Sequence, residues 1–158
     1  MEVVIFVGLQ AAGKSSFFRS RFAATHRLIS KDLMRNRRDP QARQLMLLEQ
    51  ALRNGESVVV DNTNPRAADR ASIITLARSY NATITGYLFD ARPGECLRRN
   101  ALRQGRARVP DVAIYATAAK LEYPRAEEGF DAIFRVGPGE SGFQITPELT
   151  FPANGASR

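Results

Sequence analysis

The chain has 158 residues, 44% of them apolar, and its 23 lysines and arginines against 16 acids give a formal charge of +7. That length suits one domain, which at this size buries roughly 68–70% of its unfolded surface, and no apolar run approaches the roughly 20 residues of a membrane helix. A single cysteine, Cys96, excludes an internal disulfide, and with no basic leader visible the expectation is a cytoplasmic protein without a membrane partner.

The run Val3-Val4-Ile5-Phe6-Val7 is continuously apolar, as a strand covered on both faces must be. It leads straight into Gly8-Leu9-Gln10-Ala11-Ala12-Gly13-Lys14-Ser15, which satisfies G-x-x-x-x-G-K-[ST] and is followed by the helix-compatible Ser16-Phe17-Phe18-Arg19. The two glycines let the backbone turn so that successive N–H groups face the phosphates of a nucleoside triphosphate, and the helix N-terminus adds its positive dipole end. Lys14 can reach the β and γ oxygens, and the Ser15 hydroxyl is the expected magnesium ligand. A ligand-free glycine turn, the bland alternative, has no use for Gly-Lys-Ser. Gly8, Ala11, Ala12, Gly13, Lys14, Ser15 and Ser16 are therefore the candidate nucleotide-binding residues, with ATP and Mg2+ as the ligands.

Residues 14–24 read as a helix, and Arg27-Leu28-Ile29-Ser30 as a strand that delivers Lys31-Asp32 to the surface. Residues 40–53 carry a leucine stripe (Leu45, Leu48, Leu52) stopped by Asn54-Gly55, and Ser57 to Asp61 form a buried strand with an acidic end. Pro65 opens a helix carrying Ile73, Ile74 and Ala77; residues 82–89 make a strand and Pro93 starts another helix. An arginine-dense stretch from Arg98 to Arg108 leads through Val109-Pro110 into a helix of about ten residues, and residues 131–136 supply a fifth strand. This alternation predicts an α/β fold of P-loop type: a doubly wound, mostly parallel five-stranded sheet with helices on both faces and an arginine-rich lid at about 93–122. The catalytic domain is expected over 1–136. Residues 137–158 read as a partly irregular extension in which Gly142-Phe143-Gln144-Ile145 can pair as a short edge strand.

Asp61 ends its strand beside the expected magnesium region, where it can hold the metal or a metal-bound water, although a strand-end acid also serves as a turn or helix cap. Thr63 and Asn64 are explained as well by capping the helix at Pro65 as by substrate contact. Asp32 and Arg35 lie three apart after the second strand; on a helical turn they share a face, one able to accept a proton and the other to hold an anion. A helix cap and a solvated charge account for them equally. Arg99 and Arg103, four apart on one helix face, can close over a triphosphate beside the hinge offered by Gly105, against a solvated or nucleic-acid-binding basic face as the alternative. Cys96 reads as a buried helix residue, and His26, the lone histidine, as surface or structural. The arginine-rich positive balance favours a polyanionic partner.

Taken together, Gly8 to Ser15, Ser30-Lys31-Asp32-Leu33-Met34-Arg35, Val60 to Pro65, Cys96 to Arg103 with Val109-Pro110, and Glu128-Gly129-Phe130-Asp131 resemble, in the same order, the polynucleotide 5'-hydroxyl kinase family over residues 2–136. The resemblance implies that Asp32 is the general base toward a 5'-hydroxyl, that Arg35 contacts the phosphate next to the terminal nucleoside, and that Arg99 and Arg103 are lid arginines on the ATP phosphates. It implies Lys14, Asp32 and Arg103 as catalytic groups, Asp32, Arg35, Asp61 and Asn64 as the acceptor side, and Ser15 with Asp61 at the metal. Nucleic acid 5'-hydroxyl ends would be the substrate. On the residues alone a kinase of a small-molecule hydroxyl and a slow nucleotide switch also stand, though a switch has no use for an acceptor base.

Overall fold

A computed structural model describes residues 1–34, 38–140 and 142–150. Strand β1 (Glu2–Gly8) is the centre of a six-stranded sheet, ordered β2 (Arg27–Ile29), β3 (Val58–Val60), β1, β4 (Thr83–Phe89), β5 (Ala132–Gly139), β6 (Gly142–Thr150). The first five strands are parallel and β6 is antiparallel to β5. From β1 the chain moves first toward β2 and β3, then crosses to β4 and β5, so the strand order reverses at the carboxyl end of β1. That reversal opens the crevice in which such sheets hold ligands.

Period-2 alternation along β1 assigns the two cores. Val3, Ile5 and Val7 face helices α2 (Pro40–Arg53) and α3 (Ala67–Ser79) through Leu48, Leu52, Ile73 and Ala77. Val4 and Phe6 face α1 (Lys14–Arg21), α4 (Pro93–Ala101) and α5 (Asp111–Lys120) through Phe17, Cys96 and Ile114. On this second face Phe6, Phe17, Phe22, Tyr87 and Phe89 form an aromatic cluster, with the Phe6 and Phe89 centroids 5.0 Å apart at a steep angle, the edge-to-face arrangement that ring quadrupoles favour. Cys96 is fully buried there, and desolvation pushes its thiol pKa up, so it is a packing residue.

Four boundaries differ from the sequence expectation. The sheet gains its sixth strand because β5 continues through Gly137-Pro138-Gly139 and turns back. Phe143 and Ile145 point to the core while Gln144 and Thr146 point out, and Pro147 is tolerated on the edge strand, where a missing N–H breaks no ladder to a further strand. Helix α3 starts at Ala67 rather than Pro65, because the Arg66 N–H donates to Asp69 Oδ2 at 3.0 Å and closes a capping box. The segment carrying Asp32 is a single 3₁₀ turn, Lys31–Met34, and α4 stops at Ala101, leaving Arg103 on an irregular loop. His26 is structural: its Nε2 lies 2.8 Å from Glu2 Oε2 and its ring packs edge-on to Phe22. Arg35, the candidate acceptor contact, and the final residues 151–158 lie outside the described residues. No helix among the described residues is long and apolar enough to cross a membrane.

Candidate active site

The loop after β1 is held in place from both sides. The Gly8 N–H donates to the Thr63 carbonyl at 3.0 Å, and a Cβ on Gly8 would stand 2.9 Å from both the Cβ and the carbonyl oxygen of Phe89, so only glycine lets β1 and β4 approach here. Gly13 has φ 99° and Ala11 has φ 63°; the second is a left-handed conformation that an alanine holds only under tertiary constraint. Lys14 opens α1 with its side chain buried and its Nζ donating to the carbonyls of Gly8 (2.9 Å) and Leu9 (2.5 Å). Burial lowers its pKa to about 8, with Asp61 opposing the shift.

Asp61 stands at the end of β3, 7% exposed, and accepts from the Ser15 hydroxyl at 3.3 Å. Desolvation raises its pKa, while Lys14 and the Ser15 hydrogen bond pull it back. The two residues expected at the metal are thus adjacent hard-oxygen donors, the type that magnesium takes. Asp32 is exposed on its 3₁₀ turn, which two polar contacts pin: the Ser30 hydroxyl accepts from the Asp32 N–H at 3.3 Å, and Asn62 Oδ1 accepts from the Lys31 N–H at 2.8 Å. Asn62 is itself oriented by donating to Gln44 at 2.6 Å. A cleft of about 820 Å3 brings Asp32, Lys14, Ser15, Asp61 and Arg103 into one lining.

The two arginines expected at a lid share one cavity, and only Arg103 also reaches the main cleft. Arg103 donates to the Ala107 carbonyl at 3.2 Å and faces the cleft. Arg99 donates to the Ala11 carbonyl at 3.5 Å and lines a second cavity of about 360 Å3 beside the loop. Ala11, Gly13, Ser16 and Arg103 line both, so the two concavities meet at the loop. Asn64 is nearly fully buried at φ 42°, and its side-chain amide donates to the Phe6 carbonyl at 2.9 Å; it reaches the cleft while tying the β3–α3 loop to β1. Ala12 is buried against the apolar cluster under the loop.

Three contributions were missed from sequence. Arg70 is fully buried and binds Glu128 through two nitrogens (2.8 and 2.9 Å), the Asn64 carbonyl (2.8 Å) and the Glu122 carbonyl (3.1 Å), so it fixes the turn that follows Asp61. Its signal was an arginine on the same helical stripe as Ile73, Ile74 and Ala77. Gln10 joins the phosphate loop to α5 by donating to the Thr117 hydroxyl at 3.0 Å, a contact between residues 107 apart that no local pattern reveals. Lys31, Arg66 and Lys120 add positive charge around the cleft from three separate elements.

Residues 3–124 match the family model described as an AAA domain. The chain belongs to that family. Among curated relatives, the "Bifunctional polynucleotide phosphatase/kinase" of Schizosaccharomyces pombe is 24% identical over 139 residues, covering 85% of this chain and 33% of the relative. The chain therefore spans about a third of that protein's length. Two solved structures share the fold: a sugar kinase from Janibacter sp. (TM-score 0.64, 14% identity, 85% of each chain covered) and a fungal RNA kinase (TM-score 0.63, 13% identity, 86% of this chain and 38% of that one). This AAA-domain chain has the P-loop kinase type of fold, with a mostly parallel sheet and helices on both sides.

Proposed function

We propose that this protein transfers the γ-phosphate of ATP to the 5'-hydroxyl end of a nucleic acid. The observation that carries the proposal is the single cleft in which a solvent-reachable carboxylate, Asp32, shares the lining with the phosphate-loop Lys14 and Ser15 and with the basic side chains Lys31, Arg66 and Lys120. A triphosphate on the loop and a negatively charged strand end beside it are the two ligands this combination suits. The phosphatase/kinase name of the Schizosaccharomyces pombe relative and the RNA kinase likeness support the same acceptor.

In the proposed reaction the acceptor hydroxyl oxygen forms a bond to the γ-phosphorus as the bond to the β,γ-bridging oxygen breaks; the hydroxyl proton passes to an Asp32 oxygen and ADP leaves. Positioning and charge neutralisation supply most of the rate in such transfers. The Lys14 ammonium and the loop N–H groups hold the β and γ oxygens, and Arg103, which borders both concavities, offsets charge on the transferring group. Ser15 and Asp61 would hold Mg2+, which when bound offsets phosphate charge. Arg35 lies outside the described residues and keeps its proposed role on the adjacent phosphate from the resemblance alone.

The test is to incubate the purified protein with γ-labelled ATP, magnesium and a panel of 5'-hydroxyl DNA, 5'-hydroxyl RNA and small alcohols including sugars. Label is expected on the oligonucleotides, none with Lys14→Ala, and turnover lower by about 10²–10⁴-fold with Asp32→Ala at retained ATP binding, the usual worth of a general base. Label confined to small alcohols would replace the polynucleotide assignment, and full turnover by Asp32→Ala would remove the base.

A further inference from the structure

The β5–β6 hairpin lies beyond residues 3–124, the span that the family match covers, and none of its residues figures in the phosphate or acceptor machinery. It nevertheless reaches the phosphate loop. Val136, Gly137, Pro138, Gly142 and Phe143 form one wall of the 360 Å3 cavity, whose opposite parts come from the loop and α4. Phe143 is half-buried: it meets Phe17 edge-on at 5.2 Å and 78°, and the place where a Gly13 Cβ would stand is 3.4 Å from its Cε1. One side of the ring is thus seated against the aromatic core and the phosphate loop while the ring also lines the cavity.

The cavity has the size and make-up of a site for a flat apolar group. Its volume falls within the roughly 300–1,000 Å3 of ligand pockets, and Phe89, Ala91, Val136, Pro138 and Phe143 line it with apolar surface. Polar groups also line it: Arg99 and Arg103, Ser16 and Glu95. Because Ala11, Gly13 and Ser16 belong to both this cavity and the main cleft, a ligand with phosphates on the loop can extend its other end into this cavity.

We infer that the β5–β6 hairpin completes the donor site and that Phe143 is the residue on which the donor's purine base stacks. The inference rests on the proposed triphosphate donor and adds which part of the chain selects it. Every base can stack on an aromatic face, and differences in stacking strength give modest base preferences, the two-ring purines offering more surface than the one-ring pyrimidines. The wall therefore favours purine over pyrimidine nucleoside triphosphates, whereas the loop alone treats all triphosphates alike.

The experiment is to measure dissociation constants of ATP, CTP and inorganic tripolyphosphate by calorimetry for the parent protein, Phe143→Leu and Lys14→Ala. Leucine keeps an apolar contact with Phe17 but offers no ring. Phe143→Leu is expected to weaken ATP by about 5- to 150-fold, the range for loss of one base stack, to narrow the ATP-over-CTP preference, and to leave tripolyphosphate unchanged, which also shows that the loop is still folded. Unchanged ATP affinity, or an equal loss for ATP and tripolyphosphate, overturns the assignment. If Lys14→Ala binds ATP and tripolyphosphate as tightly as the parent, the donor reading itself fails and the base wall falls with it. A loss of both ligands in Lys14→Ala alongside an ATP-selective loss in Phe143→Leu supports both.

Discussion

Replacing Arg70 by leucine tests how the turn after β3 is held. The guanidinium is fully buried, and its removal leaves the Glu128 carboxylate, 12% exposed, without its paired cation, although the Arg125 N–H still donates to it. The Asn64 and Glu122 carbonyls lose their donor as well. Breaking a buried pair from one side costs about 3–5 kcal/mol because the surviving charge stays desolvated. For a chain of this size each kcal/mol moves the midpoint by about 2–4 °C, so Arg70→Leu should melt about 6–20 °C below the parent in scanning calorimetry. Adding Glu128→Gln to Arg70→Leu removes the stranded charge and should return part of the loss, whereas Glu128→Gln alone destabilises. A drop under about 3 °C, or two single-variant losses that simply add in the double variant, would refute the assignment of Arg70–Glu128 as a coupled buried pair.

Lys14 gives a pH prediction. Its pKa near 8 means that the charged form, the one the proposed function places on phosphate, is lost from the ligand-free protein as pH rises through that value. Nucleotide affinity should be level below about 8 and weaken above it, with Lys14→Ala flat throughout; calorimetric titrations between pH 6.5 and 9.5 read this out. For the fold the sign is opposite: the unfolded chain keeps this proton up to 10.5, so the Lys14 contribution to stability grows as pH rises from about 8 to 10.5. Asn100, fully buried, donates to the Val109 carbonyl (2.7 Å) and accepts from the Val109 N–H (3.0 Å), closing the loop that carries Arg103. Asn100→Ala strands both groups at about 1–3 kcal/mol each and should speed amide exchange over residues 101–110 while leaving β1 and β4 protected; unchanged exchange would mean that other contacts close the loop.

What was legible from sequence follows a physical division. The G-x-x-x-x-G-K-S loop between an apolar run and a helix is a local pattern, so Gly8 to Ser15 were placed with their elements, and Asp61 at the end of Val58–Val60 came with them. Asp32 was legible as a carboxylate just past a strand, yet that it shares a cleft with Lys14 depends on β2 and β1 lying on either side of β3. Arg70, Gln10 and Phe143 act through partners 58, 107 and 126 residues away, and no periodicity encodes such contacts. The sixth strand was half legible: Phe143 and Ile145 alternate with polar neighbours, but Gly137, Pro138, Gly139 and Pro147 suggested irregularity where the sheet edge accommodates them.

Two concavities that meet at one loop can diverge separately. Residues from the ends of β2 and β3 and the start of α3 border only the larger cleft, while Phe89, α4 and the β5–β6 hairpin border only the other cavity; Ala11, Gly13, Ser16 and Arg103 are common to both. Substitutions on one flank leave the other flank's walls untouched, so the shapes of the two concavities can be retuned independently around a few unchanged shared residues.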